Sequence, residues 1–134
     1  MKKTATLHEV LYVSTIAPDA PVSVVAEIAG KARSTNEALG ITGLLVFDGM
    51  RFCQQLEGNQ KEVLALTERI RQDPRHTQVA ILHHGPLAER RFKRFGLGYT
   101  AVDDVDVLGQ LEQLDGQAAI EAFLALLSSL DLDD

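Results

Sequence analysis

The dipeptide Asp48-Gly49 sits between two runs rich in strand-forming residues, Ile41 to Phe47 and Arg51 to Glu57. Asp-Gly suits a two-residue hairpin turn, so the two runs are expected to pair directly as antiparallel strands. The elements on either side must then fit around that hairpin. Upstream, Leu7 to Ser14 reads as a first strand with Val10, Tyr12 and Ser14 on one face. Pro18 and Pro21 end it, and Val25, Ile28, Ala29 and Ala32 then recur at the spacing of a helix that should stop near Asn36 to Gly40. Downstream, Asn59 with Glu62 resembles a capping box, opening a second helix with the stripe Val63, Leu66, Ile70 that stops before Pro74. Val79 to His83 reads as a fourth strand, and Phe92 to Tyr99 as a fifth with Phe95, Leu97 and Tyr99 on one face.

The resulting order, β-α-β-β-α-β-β, is an α+β pattern of ferredoxin-like type with one extra strand. Right-handed crossovers would place both helices on one face of the sheet, with the first and third strands paired at its centre. After the turn at Asp115-Gly116, Ile120, Phe123, Leu124, Leu127 and Leu130 form a helical stripe expected to cap the other face. Ala119 and Leu126 broaden this stripe enough for part of it to meet another subunit. Residues 1–102 are thus expected to form the core, and residues 103–134 a helical cap in the same domain, ending in a frayed acidic tail, Asp131 to Asp134.

The length, 134 residues, suits one domain with its own core. A net charge of -6 opposes general attraction to nucleic acid or anionic lipid. Ala118 to Leu130, the most apolar stretch, contains Glu121 and is shorter than the roughly 20 residues a membrane span needs. The Lys2-Lys3 start leads into no leader-like apolar run. The single cysteine, Cys53, cannot form an internal disulfide or a Cys-only metal site, so a reducing cytoplasm is expected. His83 and His84 should point to opposite faces, which argues against metal binding. The run Arg90, Arg91, Lys93, Arg94 reads as a solvated strand edge.

Alternation places Gln54 between Phe52 and Leu56 on one apolar face, and Tyr12 beside Val10 on the same side of the sheet. A buried amide or phenol left without partners costs about 1–3 kcal/mol, so each needs a donor or acceptor nearby. The two residues could satisfy each other in a plain core, or share that role with a ligand. Asn36, where the first helix ends, is a third polar candidate, and Gln55 is polar on the opposite face.

Leu11-Tyr12-Val13-Ser14, Asn36-Glu37-Ala38-Leu39-Gly40-Ile41-Thr42-Gly43-Leu44-Leu45 and Phe52-Cys53-Gln54-Gln55-Leu56-Glu57-Gly58 together resemble the three signature blocks of BLUF domains, blue-light sensors that use FAD. Arg69-Ile70 through Asp73-Pro74-Arg75-His76, followed by Arg90-Arg91-Phe92, is similar to the family's second helix, its exit turn and the start of its last core strand. The resemblance implies a noncovalent FAD slotted between the two helices, edge-on to the sheet, in a photoreceptor that is not an enzyme. By it Tyr12 corresponds to the photoactive tyrosine, Gln54 to the glutamine between tyrosine and flavin, and Asn36 to the partner of the flavin carbonyl edge. Ser14, Phe52 and Leu56, around Gln54, would help bind the cofactor; Val25, Ile28 and Ala32 would flank the ring; Arg69, Asp73, Arg75 and His76 would face the ribityl and phosphate end.

The implied chemistry is electron and proton transfer from Tyr12 on excitation, with rearrangement of Gln54 to a red-shifted signalling state. That state would pass to an unidentified partner protein or to an oligomer formed through the sheet or the C-terminal helix. Many relatives carry a tryptophan and a methionine in the fifth strand, where Phe95 and Leu97 stand here as candidate signalling residues. The chain has no tryptophan, which leaves Tyr12 as the expected electron donor. Two other classes fit the same fold pattern: a small ferredoxin-like hydrolase of the acylphosphatase type, and a dark ligand-binding or dimerisation module. A visible spectrum after FAD reconstitution separates all three.

Overall fold

The computed structural model describes residues 7–17, 23–48, 50–73, 76–99, 107–126 and 131–133. The elements run β1 (Leu7–Ile16), α1 (Ser23–Leu39), β2 (Thr42–Phe47), β3 (Arg51–Asn59), α2 (Gln60–Gln72), β4 (His76–Leu87), β5 (Phe95–Tyr99), α3 (Val107–Glu112), α4 (Gly116–Leu126) and β6 (Asp131–Asp133). The described strands form one sheet in the order β4-β1-β3-β2-β5-β6. β1 lies antiparallel between β3 and β4, β2 is antiparallel to β3, and β2 and β5 are parallel. This is the ferredoxin-like α+β fold, extended along the β2 edge.

Sheet alternation divides the core into two layers. Val10, Tyr12, Leu45, Phe52 and Leu56 pack with Ile28 of α1 and Val63 of α2. On the other face Leu11, Val13, Leu44, Val46 and Cys53 pack against Leu108 and Leu111 of α3 and Ala119, Ile120 and Phe123 of α4. The C-terminal segment therefore caps the face that α1 and α2 leave uncovered.

Local chemistry sets the element ends. Gly40, at φ 70, closes α1 with a Schellman motif in which Gly40 N–H donates to Glu37 O at 3.2 Å and Ile41 N–H to Asn36 O at 2.8 Å. Asn59 caps α2 by accepting from Lys61 N–H at 3.0 Å. At Gly43, φ 148, a Cβ would lie 1.8 Å from the Gln55 carbonyl oxygen, so only glycine permits this approach of β2 to β3.

Several details depart from the sequence reading. The β2–β3 turn is longer than two residues: Phe47 pairs with Phe52, Asp48 N–H donates to Arg51 O, and the Asp48 carboxylate accepts from Met50 and Arg51 N–H. β4 begins at His76 instead of Val79, because Gln78 takes φ 51 and the register with β1 shifts, hiding the extra pairs from a strict two-residue period. α3 has only six residues, too few for a helical period to show. The tail residues Asp131–Asp133 form β6 against β5 and are not frayed.

The basic run is exposed, as expected, but it lies outside the strand. Arg90 Nη1 donates to Thr42 Oγ1 at 2.8 Å and to Glu57 O at 3.0 Å. The N–H groups of Arg91 and Phe92 donate to Glu57 Oε1 at 2.9 and 3.1 Å. These bonds hold residues 91–92 out of the sheet ladder, so β5 starts at Phe95 rather than Phe92.

Candidate functional site

Between α1 and α2, above the sheet, lies a cavity of about 220 Å³. From α1 it is lined by Ile28, Lys31, Ala32, Thr35 and Asn36, residues three and four apart on one helical stripe. α2 and its C-cap contribute Leu66, Arg69, Ile70 and Asp73, and the sheet contributes Tyr12, Gln54 and His76.

Tyr12 and Gln54 are direct cross-strand partners on β1 and β3, and the Tyr12 hydroxyl donates to Gln54 Oε1. Both are buried. Burial pushes the Tyr12 phenol far above its ordinary pKa, with the neighbouring Cys53 and Asp73 adding to the effect, so it stays protonated. The Tyr12 bond occupies the oxygen of the Gln54 amide; its NH2 is the other end. His76 closes the floor: its Nδ1 lies 2.9 Å from Ser14 Oγ, and its ring packs against Phe52 at 5.1 Å and edge-on to Tyr12 at 6.5 Å.

Asn36 carries the clearest sign of a ligand. It is 1% exposed, its carbonyl is used by the α1 cap, and neither the oxygen nor the nitrogen of its side-chain amide has a protein partner. A buried amide with both ends unsatisfied is costly in a closed core. Here it faces the cavity, where a ligand edge carrying a carbonyl beside an N–H would satisfy both ends.

The structure thus brings Tyr12, Ile28, Ala32, Asn36, Gln54, Arg69, Asp73 and His76 to one cavity. Ser14 reaches it through His76, whereas Phe52 and Leu56 belong to the core beneath it. Phe95 is buried in the same core layer and Leu97 pairs with Leu45 on the β5 backbone. The side chains of Val25 and Leu97, and the whole of Arg75, lie outside the described residues. Lys31, Thr35, Leu66 and Ile70 line the cavity without being candidates from the sequence, although the first two fall on the α1 stripe of Ile28 and Ala32 and the others on the apolar stripe of α2. Cys53 faces the opposite layer, where burial raises its pKa and keeps it a thiol.

Fold and site together define an α+β domain with an interhelical ligand pocket floored by a bonded phenol and amide. The family model BLUF, "Sensors of blue-light using FAD", matches residues 7–98. The chain is 35% identical over 91 residues to the blue light- and temperature-regulated antirepressor BluF of Escherichia coli (strain K12), covering 68% of this chain and 23% of that protein. BlrB, a BLUF protein solved in its dark state, superposes with a TM-score of 0.72 at 27% identity, covering 90% of this chain and 94% of that one. Klebsiella pneumoniae BlrP1, solved with FMN and cyclic diGMP, gives a TM-score of 0.65 at 36% identity, over 80% of this chain and 29% of that one.

The chain belongs to the BLUF family, whose domains bind FAD and sense blue light. It spans less than a quarter of the length of the curated relatives it matches first. The cavity suits a flavin: aliphatic side chains on both helices can face a flat ring, and Asn36 and Gln54 offer amides to its polar edge. No helix among the described residues is long and apolar enough to cross a membrane.

Proposed function

We propose that this chain is a blue-light receptor in which Tyr12 and Gln54 form the photoactive pair and Asn36 holds the flavin edge. The observation that carries the reading is the Tyr12–Gln54 hydrogen bond on the floor of a cavity that Asn36 faces with an unsatisfied amide. Ile28, Ala32, Leu66 and Ile70 would sandwich the ring, and Arg69, Asp73, Arg75 and His76 would meet the polar chain leading from it.

Bound FAD supplies blue-light absorption and, on excitation, a strong electron acceptor. Tyr12 is protonated, so losing an electron makes its hydroxyl proton acidic, and Gln54 Oε1 is positioned to take that proton. When electron and proton return, the Gln54 amide would be left rotated or tautomerised, because it carries an acceptor at one end and a donor at the other. With FAD bound, the rearranged Gln54 would change its hydrogen bonding to the flavin edge, and stronger bonding to a flavin carbonyl would lower the excitation energy and shift absorption to the red.

The domain is a sensor and not a catalyst, and its output passes to a partner protein or to a change in self-assembly through the sheet or the C-terminal helices. The Escherichia coli relative is named as a light-regulated antirepressor, which supports a protein partner. We place the receptor in the cytoplasm, with residues 103–134 as part of the same folding unit. The test is a light-minus-dark spectrum of the FAD-reconstituted protein beside Tyr12→Phe and Gln54→Leu. Both variants should stay yellow and lose the red-shifted state. A normal photocycle in either removes the role given to that residue.

A further inference from the structure

On the sheet face opposite the cavity, Glu9 of β1 and Glu57 of β3 stand directly across from each other and are 4% and 0% exposed. Like charges at a cross-strand pair repel, and burial adds a desolvation cost, so their placement requires strong partners. Gln55 is the first. Its Nε2 donates to Glu9 Oε1 at 2.8 Å and to Glu57 Oε2 at 3.2 Å, while its own buried Oε1 has no partner. Arg91 is the second: Nη1 donates to Glu9 and lies 3.9 Å from Glu57. His83 Nε2 is 3.3 Å from the other Glu9 oxygen, and Glu57 Oε1 takes the backbone N–H groups of Arg91 and Phe92.

The cluster therefore bridges two places in the molecule. Gln54 and Gln55 share a peptide bond, one side chain facing the cavity and the other the carboxylates. Arg91 and Phe92 lie a few residues before Phe95, which opens β5 and packs in the cavity-side core. Among the described residues the two carboxylates are the hydrogen-bond partners of the Gln55 side chain, whose oxygen makes no bond. Gly43 lets β2 approach the Gln55 carbonyl, where a Cβ would lie 1.8 Å from its oxygen, so β2 and β3 are closely apposed at the residue that carries the amide.

We infer that Glu57, with Gln55 and Arg91, is a positioning residue that latches residues 90–92, and through them β5, to the strand carrying Gln54, so that a change at Gln54 reaches β5 through this cluster. The inference rests on the photochemical reading above. Charge-assisted hydrogen bonds are short and directional, so a small shift of the Gln55 amide changes its bonds to both carboxylates together. The carboxylates in turn hold the backbone of Arg91 and Phe92.

The test uses the FAD-bound protein, with Arg91→Met, which keeps an unbranched apolar stem while removing the guanidinium, and Glu57→Gln as a second variant. Two quantities are read on each: the light-minus-dark absorption difference, and the light-minus-dark hydrogen exchange of residues 88–99. The wild type should show both a red shift and altered exchange. The variants should keep the red shift and lose the exchange difference. A variant that keeps both signals overturns the latch, as does a folded, flavin-bound variant that loses the red shift, which would put the cluster in the photochemistry. So does a wild type whose red shift is unaccompanied by any exchange difference in 88–99. A wild type with bound flavin and no red shift counts instead against the photochemical reading.

Discussion

At the scale of single residues, the site is a set of polar groups placed where apolar ones would fold more easily. Asn36 shows this most clearly, because its amide is buried without a protein partner. Asn36→Leu should lower FAD affinity about 10-fold, the loss of one or two hydrogen bonds, and leave the flavin-free protein as stable as before or more so. Flavin titration and urea unfolding check the two halves; a less stable flavin-free variant would show that the amide serves the fold. Tyr12 gives a second prediction. Because burial holds its phenol protonated, the red shift should be as large at about pH 10, where a free phenol ionises, as at neutrality. A loss of signal following an ordinary phenol titration would show that Tyr12 is not sealed as described. Gln54 and Tyr12 were legible in the sequence, since strand alternation alone puts them on an apolar face. Glu9 and Glu57 were not: a glutamate near a strand end usually reads as exposed, and only the cross-strand register shows that the two face each other in the interior.

At the scale of elements, sequence pattern located α1, α2, β1 and β3 by their period, and β2 as an apolar run bounded by the Asp48-Gly49 turn signal. It failed where tertiary bonds overrode local pattern. The Glu57 carboxylate draws Arg91 and Phe92 out of the β5 ladder, a bulge at Gln78 breaks the alternation of β4, and β6 is an acidic segment with weak strand propensity paired on an open edge. Two predictions belong here. Gly43→Ala would drive a Cβ into the Gln55 carbonyl and should cost about 2–3 kcal/mol in unfolding free energy; a near-neutral result would mean that β2 can shift freely. Burial raises the Glu57 pKa, with bonds from Gln55, Phe92 and Arg91 only partly opposing the rise. Between the ordinary carboxylate range and that raised value the folded protein holds a proton the unfolded chain has lost, so stability falls as pH rises through this window. Glu57→Gln should remove that slope, and identical stability-versus-pH curves for the two proteins would exclude the assignment.

At the scale of the whole molecule, one sheet carries a flavin-type cavity on one face and a helical cap on the other, joined through β3, where neighbouring residues face opposite layers. Because α3 and α4 cover the layer that contains Leu11, Val13 and Cys53, core and cap should unfold together in a single transition seen alike by circular dichroism and by flavin fluorescence. The most direct measurement of the central claim is the light-minus-dark absorption spectrum of the FAD-bound protein and of Gln54→Leu. A reversible red shift in the wild type that is absent from the yellow variant is the predicted result; an unshifted wild type, or a variant that shifts equally, would contradict it.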